Sequence, residues 1–316
     1  MPMDLGPLTV YANGRFARYD ESKVGLLTHA LNFGTGCFEG IRGFWSPDHE
    51  ELYLLSLREH YERLVDSART ILIKLPHTVD EMIDITVELV ARNGFREDIY
   101  IRPFGYKADE RIGVRLHDIS DAFAIVTMPF DKYFHTDDGL ACGVSSWRRV
   151  DDNTAPARSK INGTYINSAL AKSDAVLSGF DEAIMLSQDG HVSEGSAVNL
   201  FMIRDGVLYT PDASQNILEG VTRRTVMTLA AKELGLDIVE RAIDRSELYV
   251  ADEIFLTGSA AGIQWVKSVD HRQVGTGKAG PVATKIIALY EQLVRGKLPQ
   301  YANVLTKTYA GRHVTA

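Results

Sequence analysis

Two cysteines, Cys37 and Cys142, are all that the 316 residues contain, and they lie far apart with no CxxC spacing. That leaves no basis for a disulfide framework or a CxxC redox motif, and a reducing, cytoplasmic compartment is the default expectation. No apolar run approaches the length that spans a bilayer. The opening "MPMDLGPLTVYANG" has neither a basic flank nor a long apolar stretch, so no signal peptide is expected. Basic residues are outnumbered, 34 Lys and Arg against 42 Asp and Glu, and they form no stripe. A net charge of −8 spread in this way argues against nucleic acid as the main partner, because phosphate neutralisation needs clustered cations. Nine histidines include no HxxxH or HxH pair, and nothing has metal-ligand spacing. No GxSxG nucleophile elbow occurs. Gly34, Gly36 and Gly40 of "NFGTGCFEGIRG" do not make GxGxxG, and no βαβ pattern surrounds them. "GTGKAG" (Gly275 to Gly280) lacks the rest of a phosphate loop and reads as a hairpin turn.

What is present is a globular composition, 45% hydrophobic and 24% charged, with room for two modest domains. "LTVYANGRFARY" alternates about Asn13-Gly14 and predicts an opening β-hairpin. "LREHYERLVDSARTILIK" puts Tyr61, Leu64, Val65, Ala68 and Leu72 on one helical face. "VDEMIDITVELVARNG" is a second helix stopped by Asn93-Gly94. "DIYIRPFGYK" and "DAFAIVTMPF" read as strands, which makes residues 1–128 a small α/β domain. "PFDKYFHTDDGLACG" has no period and is expected to connect the domains, over 129–143. Residues 144–316 predict strands at "GVSSWRRV", "DEAIMLSQ", "HVSEGSAVNLFMIRDGVLYT" and "DEIFLTGSA", with helices after Lys160, Gly220 and Gly280. The expectation is a curled, barrel-like larger domain carrying Lys160, in an α/β (α+β) fold. The tail after Lys297 reads as weakly structured.

Within "ARSKINGTYINSALAK", Lys160 and Tyr165 stand five residues apart just ahead of a helix. Lys160 has the chemistry to form a Schiff base with an aldehyde, and Tyr165 to donate to a ring hydroxylate. Glu194 in "HVSEGSAVNLF" is suited to pair with a protonated ring nitrogen. "LEGVTRRT" puts Gly220, Val221 and Thr222 at a helix N-terminus, where free N–H groups and the dipole favour a phosphate. Each has an ordinary alternative: a solvated lysine, a packed tyrosine, a surface-turn glutamate, a capped helix. Together they describe pyridoxal 5′-phosphate, whose electronics depend on an acid at the pyridine nitrogen.

"SKINGTYINSALAK", "DEAIMLSQDGHVSEGSAVNLF", "ILEGVTRRT" and "LYVADEIFLTGSAAGI" follow one another in the order of the fold-type IV aminotransferases. With "GTGCFEGIRGF", "REHYERL" and "YIRP", the chain resembles the branched-chain amino acid aminotransferases from roughly Val10 to Val294. The resemblance implies a small α/β sandwich domain, a larger pseudo-barrel domain, and Lys160 as the Schiff-base lysine with Tyr165 on the cofactor's ring oxygen. It implies that Arg63 holds the phosphate with the Val221 and Thr222 N–H groups and the Ser259 hydroxyl; from the local sequence alone, Arg63 has an (i, i+4) partner in Glu59. Tyr100 and Arg102 would receive substrate carboxylates with the N–H groups near Ser259 and Ala260, and Phe38, Gly40 and Phe130 would shape an apolar side-chain pocket. It further implies amino acid and 2-oxo acid substrates, no metal, and a homodimer or higher homo-oligomer with sites near the subunit interface.

Three departures bear on the substrate. Ala197-Val198 stands where the family usually has Gly-Glu, leaving Arg42 without that candidate partner. Phe33 replaces a tyrosine common among relatives, and Gly262 replaces the acid of "AAE". The expected activity is amino transfer between branched-chain L-amino acids and 2-oxoglutarate. A related transaminase for (R)-amines or D-amino acids, or a non-catalytic binding protein on the same scaffold, are the alternatives.

Overall fold

The computed structural model describes residues 5–310, which divide into two compact units. The first comprises the chain through Asp131, Ser159–Gly163, and the chain from Gln292 onward; the second comprises Lys132–Arg158 and Thr164–Glu291.

In the first unit, β1 (Thr9–Ala12) and β2 (Arg15–Arg18) form the expected hairpin, with Asn13 (φ 52°) and Gly14 (φ 75°) both left-handed as a tight two-residue turn requires. A short helix α1 (His29–Phe33) precedes β3 (Gly36–Phe38), β4 (Ile41–Ser46) and β5 (Glu51–Leu55). Then come α2 (Leu57–Thr70), α3 (Val79–Asn93), β6 (Ile99–Lys107) and β7 (Asp121–Pro129). α2 and α3 bury Leu57, Tyr61, Leu64, Ala68, Met82, Leu89 and Val90 in one core with Leu52, Leu54, Ile99 and Ile101 of the sheet. Leu72, predicted on the α2 face, departs from it. The helix stops at Thr70, and Leu72 takes φ 55° with 56% of its surface exposed while Ile71 and Ile73 close the core. α3 begins with a Thr78/Glu81 capping box and ends on left-handed Gly94.

In the second unit, β8 (Leu140–Val144) is followed by α4 (Tyr165–Leu177), β9 (Glu182–Leu186), β10 (Val192–Gly195), β11 (Asn199–Arg204) and β12 (Val207–Thr210). The chain continues through α5 (Val221–Leu234), β13 (Ile238–Glu240), β14 (Glu253–Gly258), β15 (Gly262–Val269), β16 (Arg272–Gln273) and α6 (Pro281–Val294). The main sheet path runs β10-β9-β8-β15-β14-β11-β12-β13, with β8 parallel to both its neighbours. A strand is expected over "GVSSWRRV", through Val150, but β8 stops at Val144. Ser145 and Arg149 still donate their N–H groups to Ile184 and Leu186, while the intervening chain bends away. The hairpin turn lies at Asp270-His271 (φ 46° and 63°), not at Gly275–Gly280. That glycine stretch instead leads into α6, where Glu253 caps the helix by accepting from Val282 N and Ala283 N. A Cβ on Gly280 would fall 2.1 Å from the Glu253 carboxyl carbon, so only glycine fits there.

The tail is ordered from Leu298 to Ala310, contrary to expectation, and the residues after Ala310 lie outside the described ones. β17 (Leu305–Lys307) pairs with β5, completing the first unit's order β17-β5-β4-β6-β7-β1-β2, with β3 on β6. Buried Glu51 accepts the N–H groups of Thr308, Tyr309 and Ala310 and so anchors the chain end to the sheet. Lys160, expected with the C-terminal domain, belongs to the first unit. Its carbonyl accepts from Phe38 N at 3.0 Å, Ile161 bridges Cys37, and Gly163 N donates to Gly34 O. No helix among the described residues is long and apolar enough to cross a membrane.

Candidate active site

In the first unit, the end of β3 faces the middle of β6. The Phe38 ring is buried, with Lys160 Nζ 5.0 Å and the Arg102 guanidinium carbon 4.3 Å from its centroid. The backbone of Lys160 is fixed on both sides, its N–H donating to Ser67 Oγ at 3.0 Å and its carbonyl accepting from Phe38. Alternation along β6 puts Tyr100 and Arg102 on one face, and Arg102 Nη2 donates to the Tyr100 hydroxyl at 2.8 Å. Phe130 lies 5.3 Å from the Tyr100 ring. A Cβ on Gly40 would come within 2.1 Å of the Tyr100 hydroxyl, so the glycine makes room for the tyrosine. Arg102 Nε is buried and has no hydrogen-bond partner among the described residues. An unmet donor of this kind costs roughly 1–3 kcal/mol, and here it marks a place where an anionic acceptor would be stabilising. Phe38, Gly40, Tyr100, Arg102, Phe130 and Lys160 thus form one group.

Arg63 joins that group through Glu39 and His60, neither of them among the expected site residues. Its expected local partner was Glu59. Instead its Nε and Nη2 donate side-on to the Glu39 carboxylate at 2.7 and 2.8 Å. Glu39 has no exposed surface and also accepts from His60 Nδ1 at 2.7 Å. Burial raises its proton affinity, but the charges and hydrogen bonds of Arg63 and His60 outweigh that and hold its carboxyl well below the usual carboxylate range. Burial pushes the His60 imidazolium down, against the pull of Glu39. His60, Arg63 and Ser67 are spaced i, i+3, i+7 on α2, a polar helical stripe that "REHYERLVDS" carries in its sequence.

In the second unit, Glu194 on β10 is buried and held from three directions. Arg149 Nη2 reaches Oε1 at 2.9 Å, while Asn199 Nδ2 and Leu218 N donate to Oε2 at 2.9 and 3.2 Å. Asn199 also donates to Leu218 O, and Arg149 Nε to Asn216 O, so the carboxylate sits in a fixed frame. Neither Arg149 nor Asn199 was among the predicted site residues. Asn199 stood within "NLF", but nothing in the spacing of "WRRV" marks Arg149. Gly220 is the N-cap of α5 and supplies no side-chain acceptor, so the first-turn N–H groups at Val221 and Thr222 lack an intrahelical partner. A Cβ on Gly220 would lie 2.1 Å from Asn199 Oδ1. Thr222 Oγ1 and Ser259 Oγ approach to 3.5 Å. Ser259 and Ala260 open the turn from β14 to β15, and Tyr165 heads α4.

The departures have local accounts. Gly262 sits at φ 63° in that turn, a conformation that an acid in its place would strain. Val198 is buried in the second unit's core beside Gly258 and accepts from Gly195 N at 2.7 Å. Arg42 is engaged within its own unit, with Asp98 at 3.6 Å and the carbonyls of Phe130 and Asp131. The Phe33 ring packs at a tilt against His29, with centroids 4.8 Å apart.

The residues present suit pyridoxal 5′-phosphate. The first unit offers a lysine with a fixed backbone, and the second offers a helix N-terminus beside two hydroxyls and a buried glutamate paired with an arginine. Among the described residues no group of three or more His, Cys, Asp or Glu side chains is placed to hold a metal ion.

Comparison with known proteins gives the family. Residues 36–269 match the family profile of the class IV amino-transferases. The chain is 44% identical over 299 residues to a probable branched-chain-amino-acid aminotransferase of Aquifex aeolicus, covering 95% of this chain and 96% of that one. The branched-chain aminotransferase of Thermoproteus uzoniensis, solved with norvaline, superposes with a TM-score of 0.91 at 42% identity, over 96% of this chain and 99% of that one. The pyridoxal-phosphate form of the Thermobaculum terrenum enzyme gives 0.92 at 35% identity, with the same coverage. The chain therefore belongs to the class IV aminotransferases, in the family of the branched-chain-amino-acid aminotransferases.

Proposed function

We propose that this protein moves the amino group between branched-chain L-amino acids and 2-oxoglutarate, using pyridoxal 5′-phosphate. When bound, the cofactor supplies an electron-withdrawing ring that stabilises negative charge at the substrate's α-carbon. The chain supplies the rest. Lys160 would hold the cofactor covalently, and its amine would serve as the base that takes the proton from the substrate's α-carbon. Hydrogen bonds at both its N–H and its carbonyl fix the backbone from which that amine swings. Glu194 would keep a proton on the pyridine nitrogen, and its bonds to Arg149, Asn199 and Leu218 hold it oriented for that task. Arg63, the N–H groups of Val221 and Thr222, and the Ser259 hydroxyl hold the phosphate, and Tyr165 the ring oxygen. Phe38, Gly40 and Phe130 receive an aliphatic side chain, and Tyr100, Arg102 and the N–H groups near Ser259 and Ala260 receive carboxylates.

The observation that carries the substrate reading is the unmet Arg102 Nε against the ring of Phe38. A cation lying on an aromatic wall lets one pocket take leucine's methyl groups or glutamate's second carboxylate. A panel of amino donors assayed against 2-oxoglutarate tests it, with leucine, isoleucine and valine expected to lead. Val198 in place of the family's glutamate favours a second reading, a wider donor range, and dominance of (R)-amines or D-amino acids in the panel would establish that instead.

The working form is proposed to be a cytoplasmic homodimer or higher homo-oligomer. Leu26, Leu31, Ile112 and Val114 of the first unit are 85%, 60%, 84% and 75% exposed around α1 and the following β6–β7 connection, a concentration of apolar surface that a second copy would cover. Sedimentation of the holoprotein as a monomer at micromolar concentration would contradict this.

A further inference from the structure

Glu39 is a carboxylate with no exposed surface, and removing such a charge from water is costly unless it is fully paired. Four donors meet it: Arg63 Nε and Nη2, His60 Nδ1, and Gly40 N at 3.3 Å. Because a carboxylate only accepts, His60 carries its proton on Nδ1. Glu39 takes the Nε–Nη2 edge of the planar guanidinium, which fixes the rotation of the fork and turns the Nη1 edge away from Glu39.

The position of Glu39 in the chain matters as much as its charge. Its neighbours Phe38 and Gly40 both meet the site, Phe38 against Lys160 and Arg102 and Gly40 beneath the Tyr100 hydroxyl. Its own side chain meets α2 instead, and its N–H donates to Pro103 O at 2.9 Å, next to Arg102. On α2 the same stripe that grips Glu39 also carries Ser67, which holds the Lys160 N–H.

We propose that Glu39 is a positioning residue for the phosphate end of the cofactor, locking the Arg63 guanidinium in the rotation that grips the phosphate. The proposal rests on the pyridoxal-phosphate reading above. A carboxylate that merely weakened the charge of Arg63 would act in the opposite direction, since its removal would strengthen phosphate binding. A purely structural ion pair would change the melting temperature and leave affinity alone.

The test is cofactor affinity, measured by titrating the apoprotein with pyridoxal 5′-phosphate and, separately, with pyridoxal, which lacks the phosphate. In Glu39→Gln, whichever way the amide is turned, its NH2 meets at least one Arg63 N–H in place of an acceptor. Affinity for pyridoxal 5′-phosphate should fall about ten- to a hundredfold, the scale of a charged hydrogen bond, and affinity for pyridoxal by less than about threefold. In an Arg63→Gln background, Glu39→Gln should add no further loss, because its action runs through Arg63. Glu39→Asp, which keeps the charge but shortens the reach, should weaken binding in the same direction and guards against failure of the first variant to fold. Unchanged or tighter binding of pyridoxal 5′-phosphate in either variant, equal losses for both ligands, or additive losses in the double variant would overturn the proposal. Wild-type protein that takes up no pyridoxal 5′-phosphate would instead overturn the underlying reading, and the proposal with it.

Discussion

Arg102→Leu separates the two substrate classes. Arg102 has one guanidinium nitrogen on the Tyr100 hydroxyl and a second, Nε, buried without a partner among the described residues, so a substrate carboxylate arriving there gains a charged hydrogen bond. Such a bond contributes roughly 1.5–3 kcal/mol, about one to two powers of ten in efficiency. Leucine in its place would lie against Phe38 and extend the apolar wall that an aliphatic side chain meets. The half-reactions are followed separately by the cofactor's absorbance in stopped flow, with glutamate and 2-oxoglutarate in one series and leucine and 4-methyl-2-oxopentanoate in the other. The first series should lose about ten- to a hundredfold in kcat/KM and the second only a few-fold. Equal losses in both would refute the reasoning and place Arg102 on the α-carboxylate common to all substrates.

Lys160→Ala should keep the fold and lose the covalently held cofactor; peptide mapping after borohydride reduction of the wild type should find the pyridoxyl group on Lys160, and finding it on Lys172 or Lys278 would refute the assignment. Glu194→Gln should retain the cofactor but lose turnover by about two to three powers of ten, the scale on which electrostatic stabilisation acts, and near-normal kcat would contradict its role. Gly220→Ala brings a methyl onto Asn199 Oδ1 and should disturb the Glu194 frame, lowering kcat through a residue with no chemistry of its own; unchanged kcat would show that the frame is not needed. Glu39, held below its ordinary range, contributes stability that is present above the unfolded glutamate pKa of about 4.3 and is lost as pH falls towards its folded value. Glu39→Gln should therefore flatten the acid limb of the melting-temperature profile below about pH 4.5, and parallel wild-type and variant profiles there would contradict the shift.

The sequence made the helices legible wherever apolar periodicity ran between capping signals, as in α3 with Thr78, Glu81 and Gly94. It misled where a local backbone choice overrode the pattern. Leu72 continues the helical period, yet a left-handed turn takes it out of the core. The tail offered little periodicity because its order through Ala310 comes from long-range partners, the β5 strand and Glu51, which no local pattern reveals. Of the candidate site, the residues that the sequence nominates lie in dense local motifs, among them Lys160, Glu194 and the α5 N-terminus. Their supports do not. Arg149 lies 45 positions before Glu194 and Glu39 lies 24 before Arg63, and only folding brings each pair together. The grouping of Ser159–Gly163 with the first unit is likewise a pairing with Gly34, Cys37 and Phe38 that composition cannot show.

A single-turnover experiment on the purified holoprotein tests the central claim most directly. L-Leucine alone, without an acceptor, should discharge the cofactor's visible band and release one equivalent of 4-methyl-2-oxopentanoate per site. Adding 2-oxoglutarate should then restore the band and form one equivalent of L-glutamate. A band that leucine leaves untouched, while a D-amino acid or an (R)-amine discharges it, would contradict the account.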